Sequence, residues 1–180
     1  MSRLPIIEPA HAQGAAADLL ATVQKTLGVT PNMTKAMANS PAVLKGYLEF
    51  SGALATGELP ATVRESIALA VAQENTCDYC LSAHTYIATN LAGLTTEQAE
   101  SARRAQSADL TCDAALKLAT SLVRTRGDVT DTDLKTAREA GLNDAEIAEV
   151  VAHVALNILT NYFNKAAAVD IDWPQVSHLS

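Results

Sequence analysis

Aromatic residues and long apolar runs are both scarce in this sequence. Aromatic side chains make up only 4% of the residues, with a single tryptophan. Every apolar stretch is interrupted well short of the ~18 residues that a bilayer-spanning helix needs. The first residues, 1–8, lack the apolar segment of a secretory signal. We therefore expect no membrane partner and a cytoplasmic location.

Cysteine is rare as well, and basic residues are outnumbered. The three cysteines are an odd number without a secretory signal, which argues against a secreted disulfide scaffold and for a reducing compartment. There, a close pair of cysteines is typically catalytic or metal-binding. The 13 Lys and Arg residues against 20 Asp and Glu residues form no basic stripe. Nucleic acid is therefore not an expected partner.

Alanine and leucine dominate what is present, and β-branched residues rarely cluster, which favours packed helices over sheets. Helix-start signals recur along the chain, for example Ser40-Pro41 and the capping-box spacing of Thr95 and Gln98. We predict an all-α bundle of about seven to eight helices in a single domain. This domain would span residues 13–169, after an N-terminal arm, 1–12, and before a C-terminal tail, 170–180.

The last predicted helix, residues 144–169, is apolar nearly all round, which predicts a central or interface helix and self-association. His153 in its middle is interpreted as a buried histidine with its hydrogen bonds satisfied. Asn157, Asn161 and Asn164 recur at helical spacing, and they would either line a pocket or bond across a subunit interface.

The informative segment contains Cys77-x-x-Cys80-x-x-x-His84, with Glu65 twelve positions before the first cysteine. On a helix, Cys77, Cys80 and His84 fall within roughly a 60° arc, so the three side chains share one face. A helix beginning at Thr76 or Cys77 would direct its positive dipole end at the cysteine pair.

This arrangement suits thiol redox chemistry, in which the thiolate is the nucleophile. His84 can take the proton of Cys80, and Glu65 on the preceding antiparallel helix can act as an acceptor through His84 or a water. The second cysteine allows a sulfenic acid to collapse to a disulfide before irreversible oxidation. Isolated Cys112 is interpreted as a core residue.

Two alternatives remain open from the residues alone. The pair Cys77 and Cys80 would be inert if it were simply buried in the core. With His84 and a fourth ligand from Glu65 or His153, the pair would bind zinc. The absence of a nearby glycine in the Cys-x-x-Cys segment is unlike the tight turn of a zinc knuckle.

The spacing of Glu65, Cys77, Cys80 and His84 resembles that of the AhpD-like alkylhydroperoxidases of the carboxymuconolactone decarboxylase superfamily. The stretch PAVLKGYLEFSGAL is similar to the family's helix before the motif. The stretch HVALNILTNYFNKAAAVDIDWP is similar to the last helix and tail of the peroxidase-related branch. The superfamily's decarboxylases lack the cysteine pair, which disfavours lactone decarboxylation.

The resemblance implies an AhpD-like bundle that assembles as dimers, trimers or hexamers. It implies a hydroperoxide reductase without haem, flavin or metal, whose redox group is a Cys77–Cys80 disulfide. Cys80 would attack the peroxide, Cys77 would resolve it, and His84 with Glu65 would relay protons. A dithiol partner, such as a lipoyl-bearing or thioredoxin-like protein, would reduce the disulfide.

Two further readings accompany this resemblance. A protein disulfide reductase or redox sensor with weak peroxidase activity is the alternative function, and a zinc-stabilised interaction module is a third.

The best-described peroxidases of the family carry a histidine immediately before the second cysteine, where this chain has Tyr79. A tyrosine in that position donates a hydrogen bond but titrates near ~10, so it is a poor proton shuttle at neutral pH.

Overall fold

The computed structural model describes residues 1–179, and that part of the chain contains nine α-helices and no strand. Eight of the helices have eight residues or more, which confirms the predicted all-α fold. The helices are α1 (Gly14–Leu27), α2 (Asn32–Met37), α3 (Pro41–Leu54), α4 (Ala61–Glu74), α5 (Asp78–Asn90), α6 (Thr96–Arg103), α7 (Leu110–Thr125), α8 (Asp131–Glu139) and α9 (Asp144–Ala167). Within residues 1–179, none of them is both long and apolar enough to cross a membrane.

Local capping explains why several helices begin where they do. At α6, the Thr95 side chain accepts from the Gln98 N–H, while the Gln98 side chain accepts from the Thr95 N–H. Asn143 and Glu146 form the same reciprocal pair at the start of α9. Each pair satisfies backbone donors that the first helical turn leaves without partners. The sequence predicted the helix start at both positions.

The α4–α5 junction differs from the prediction by one residue. Thr76 is not the N-cap of α5 but the left-handed residue that ends α4, with φ of 50°. Its N–H bonds to the Gln73 carbonyl, and the Cys77 N–H bonds to the Ala72 carbonyl, at 3.1 and 3.0 Å. This pair of bonds closes a helix C-terminus as a Schellman motif. Cys77 therefore becomes the N-cap residue of α5.

Helix α4 is the centre of the bundle. Its residues 66–72 are all buried, and it packs against α5, α6, α7 and α9. The alanines in this run let the neighbouring helices approach closely. Helix α5, which carries Cys80 and His84, is therefore held against one rigid element.

Helix α9 has two apolar faces in different environments. One face is buried in the bundle, and the opposite face leaves Val151, Leu159 and Tyr162 exposed by 45, 42 and 60%. The second face is therefore left uncovered by this chain, and the interface role of α9 stays a prediction.

Candidate active site

The two motif cysteines are in contact at the start of α5. The Sγ atoms of Cys77 and Cys80 lie 2.9 Å apart, and the two residues are 1 and 2% exposed. The N-cap position of Cys77 and the first-turn position of Cys80 bring the sulfurs to the same side of the helix N-terminus. The two thiols therefore share a hydrogen bond and need little movement to form a disulfide.

The surroundings favour a negative charge on Cys77. The hydrogen bond from Cys80 lowers the pKa of Cys77 most; burial opposes it, and the charges of Lys165 and His84 reinforce it. The Lys165 Nζ is held beside the pair by a 2.8 Å bond to the Thr76 hydroxyl. A positive side chain on α9 is thus anchored by the left-handed residue that ends α4.

The surroundings of Cys80 have the opposite effect and disfavour a negative charge on its sulfur. Burial raises its pKa, and so does its contact with Cys77, while Asn164 and Asn161 act weakly in the other direction. The Asn164 Nδ2 donates to the Cys80 Sγ at 3.2 Å. When the pair loses one proton, the negative charge is therefore favoured on Cys77, with the Cys80 thiol as its hydrogen-bond donor.

His84 and Glu65 form the second part of the site. The His84 Nδ1 lies 2.8 Å from the Glu65 Oε2, which joins α5 to α4. Burial alone would lower the pKa of His84, but the charge and hydrogen bond of Glu65 outweigh burial and raise it. Since Nδ1 faces the carboxylate, Nε2 is the nitrogen left to exchange a proton with another group.

A cavity of about 180 Å³ lies beside this pair, between α3, α4, α5 and α9. Its polar walls are formed by Tyr47, Ser51, Arg64, Glu65, His84, His153, Asn157 and Thr160. A larger cavity of about 590 Å³ is lined by residues of α4, α6 and α7, among them Cys112. We take the smaller cavity as the functional one, because its walls include the Glu65–His84 pair.

His153 is buried, as predicted, but the prediction that its hydrogen bonds are satisfied is wrong. The side chain is 6% exposed, and within residues 1–179 its Nε2 atom has no hydrogen-bond partner. Burial lowers the pKa of His153, and the nearby Arg64 charge lowers it further. The imidazole is therefore held neutral. Sequence reasoning missed this feature, because the periodicity of α9 marks a residue as buried without showing what faces it.

The three asparagines of α9 are all buried within the bundle. Asn157, Asn161 and Asn164 are 5, 0 and 3% exposed. Asn157 lines the small cavity, Asn164 contacts Cys80, and Asn161 accepts a hydrogen bond from the Asn75 side chain at 2.9 Å. Of the two roles left open by the sequence, lining a pocket is found for Asn157, while Asn161 and Asn164 bond to residues of their own chain.

Tyr79 is the one predicted site residue that the structure does not bring to the others. Its hydroxyl donates to Asp172 at 2.8 Å and accepts from the Met33 N–H at 3.1 Å. Burial and the Asp172 charge raise the pKa of Tyr79. The phenol therefore remains protonated and holds the C-terminal segment, which makes it a poor member of a proton relay.

The C-terminal segment continues along α5 beyond that contact. The Val176 N–H donates to the Ser82 hydroxyl at 2.9 Å, and the His178 Nδ1 lies 2.7 Å from Asp78. Burial alone would raise the pKa of Asp78, but the bonds from His178 outweigh it and lower the pKa. The tail thus covers the polar side of the motif helix, which no local sequence signal indicates.

No ligand set for a metal emerges from these contacts. Within residues 1–179, no three His, Cys, Asp or Glu side chains are grouped so that they could hold an ion. Together, the fold and the site define an all-α thiol protein with a histidine–carboxylate pair beside two contacting sulfurs.

Comparison with known proteins agrees with this class. Residues 41–120 match the model of the carboxymuconolactone decarboxylase family. No functionally curated protein matches the chain. The matched residues include Glu65, Cys77, Cys80 and His84, and the match agrees with the family resemblance that the sequence predicts.

Three solved structures illustrate the similarity. A peroxidase-related protein from Ralstonia eutropha JMP134 with an AhpD core is 23% identical, with a TM-score of 0.85 over 95% of this chain and 92% of that one. A peroxidase-related protein from Silicibacter sp. TM1040 is 26% identical, with a TM-score of 0.80 over 94 and 91%. A variant of the debrominase Bmp8 in complex with 2,3,4-tribromopyrrole is 18% identical, with a TM-score of 0.77 over 96 and 94%. The family and these relatives indicate an enzyme.

Proposed function

We propose that this protein reduces hydroperoxides with the Cys77–Cys80 pair as its only redox group. The observation that carries the proposal is the 2.9 Å contact between two buried sulfurs at the start of α5. The Glu65–His84 pair, one helical turn beyond Cys80, adds the proton-transfer groups that the reaction requires.

The proposed reaction balances in two steps. A thiolate attacks one peroxide oxygen, so that an S–O bond forms, the O–O bond breaks, and the departing alkoxide takes a proton from the His84 imidazolium. The second cysteine then attacks the sulfenic acid, which forms the disulfide and releases water. Two thiols are oxidised, and one hydroperoxide is reduced to an alcohol and water.

Position and charge assign complementary roles to the two cysteines. Cys80 is at i,i+4 from His84, which lines the cavity, whereas a negative charge is favoured on Cys77. The proton needs to move only between two sulfurs 2.9 Å apart to leave the thiolate on Cys80. A thiolate of higher pKa is also the stronger nucleophile. We propose that Cys80 attacks and Cys77 resolves.

The reductant and the assembly belong to the same proposal. Sulfurs that are 1 and 2% exposed favour a slender dithiol arm, such as that of a lipoyl-bearing protein, over the broad surface of a thioredoxin-like protein. The same burial disfavours a protein disulfide as substrate, which is the alternative function.

The exposed apolar face of α9 supports a homo-oligomer, for which light scattering of the purified protein is the direct measurement.

Mass spectrometry after one equivalent of hydroperoxide tests the proposal. We expect a Cys77–Cys80 disulfide in the wild type, and loss of peroxide consumption in Cys80→Ser. Cys112→Ser is the matched control, because burial raises the pKa of Cys112 and this thiol should remain inert. Peroxide turnover that persists in Cys80→Ser would contradict the proposal.

Two further measurements separate the alternatives. Faster reduction of a protein disulfide than of a hydroperoxide would favour the disulfide reductase. Stoichiometric zinc in the purified protein, lost together with the fold on chelation, would favour the interaction module.

A further inference from the structure

We propose that the small cavity is the hydroperoxide-binding site, that the His153 Nε2 binds the peroxide there, and that the cavity selects small hydroperoxides. This inference rests on the proposed function and adds a binding residue that neither the motif nor its spacing contains. It starts from a buried imidazole that the motif chemistry does not use.

The first observation is the unsatisfied Nε2 atom of His153. A buried polar group without a partner costs folding free energy, so a protein retains one where a ligand or water completes its bonding. His153 is 6% exposed and lines the cavity together with Glu65 and His84. The residue that carries the unpartnered nitrogen thus lines the same cavity as the proton relay.

The second observation is a polar track along the inner face of α9. His153, Asn157, Asn161 and Asn164 follow one another at helical spacings of three or four residues, and the last of them bonds to the Cys80 Sγ. Within residues 1–179, the Asn161 Nδ2 and the Asn164 Oδ1 are also buried without hydrogen-bond partners. The track therefore runs along α9 from His153, which lines the cavity, to Asn164, which contacts the reacting sulfur.

The charges of the cavity fit a neutral hydroperoxide. Burial and Arg64 keep His153 uncharged, and the charge of His84 is already balanced by Glu65. The neutral imidazole offers one hydrogen bond to a peroxide O–H or oxygen, and the Tyr47 and Thr160 hydroxyls add further partners. A peroxide held there lies against His84, whose Cβ is about 6 Å from that of Cys80 at i,i+4.

The volume of the cavity sets the size of the substrate. An engineered protein cavity of roughly 150 Å³ is known to hold a benzene molecule, and this cavity measures about 180 Å³. Hydrogen peroxide and tert-butyl hydroperoxide fit within that limit. Cumene hydroperoxide, which adds a branched hydroperoxide group to a benzene ring, exceeds it.

Steady-state kinetics of His153→Ala and His153→Gln with these three peroxides test the proposal. In His153→Ala we expect KM for tert-butyl hydroperoxide to rise about tenfold, the size of one lost hydrogen bond. The enlarged cavity should also raise kcat/KM for cumene hydroperoxide relative to tert-butyl hydroperoxide by about threefold or more. His153→Gln retains a donor and should recover most of the KM. Reduction of the disulfide by dithiothreitol should be unchanged in both variants.

Val154→Ala is the matched control, because Val154 is a buried neighbour on α9 outside the cavity walls. It should leave KM and the peroxide preference unaltered. If the wild type consumes peroxide but His153→Ala keeps the same KM and the same preference, the inference fails while the proposed function stands. An equal fall of kcat for all peroxides would assign His153 a structural role and also overturn it. A wild type that consumes no peroxide would overturn both.

Discussion

The Nδ1 atom of His84 lies 2.8 Å from the Oε2 atom of Glu65, although the two residues are on different helices. The contact fixes which imidazole nitrogen faces the carboxylate and raises the pKa of His84 against the effect of burial. The raised pKa favours the protonated imidazole, the form that can donate a proton to a departing alkoxide.

The first prediction concerns activity. Replacing Glu65 by Gln removes the negative charge that raises the pKa of His84, so that pKa falls and the protonated imidazole becomes less populated. We expect kcat/KM for hydroperoxide to fall about a hundredfold, within the usual range for general acid–base catalysis. In a pH–rate profile, the limb that reports the ionisation of His84 should move to lower pH. Glu139→Gln on exposed α8 is the control, and equal effects of both variants would contradict the prediction.

The second prediction concerns stability. Because the folded-state pKa of His84 is raised, the stability that this pair contributes is fully present below the unfolded value of about 6.5. It is lost as the pH rises through the folded-state pKa. The free energy of unfolding should therefore differ more between wild type and Glu65→Gln at pH 6 than at pH 9. Urea denaturation at the two pH values measures this difference, and a larger difference at pH 9 would contradict it.

The third prediction concerns the resting thiolate. Lys165 is a positive charge held beside Cys77 and contributes to the lowered pKa of that thiol. In Lys165→Gln we expect the pH at which thiolate absorbance appears to rise, and alkylation of Cys77 at neutral pH to slow by less than about tenfold, as for one solvent-screened charge. Lys117→Gln on the surface of α7 should change neither. Preferential alkylation of Cys80 in the wild type would contradict the assignment.

The fourth prediction concerns Tyr79. Tyr79→Phe removes the hydroxyl that bonds to Asp172 and to the Met33 N–H. We expect the free energy of unfolding to fall by about 1–3 kcal/mol, as for buried hydrogen-bonding groups left without partners. The rate of peroxide reduction should change little. A large loss of rate with unaltered stability would instead indicate that Tyr79 takes part in the proton relay.

Helix starts and the face shared by the motif residues were predictable because they depend on near neighbours. Thr95 with Gln98 and the spacing of Cys80 with His84 act over three and four residues. The Thr76 turn was predicted less well, because a β-branched residue in a left-handed conformation runs against its own preference. The bond from Lys165 to the Thr76 hydroxyl accompanies that conformation, and Lys165 is distant in sequence.

The amino-acid sequence by itself determined the all-α class, the starts of most helices and the side-by-side placement of Cys77 and Cys80. Only the tertiary structure decided that Tyr79 bonds to Asp172, that the His153 Nε2 is unpartnered beside the relay, and that Asn164 contacts Cys80. The physical reason is range. Helix capping and helical spacing act within one turn, whereas the partners of a buried polar atom come from wherever the packed chain brings a second helix or the tail.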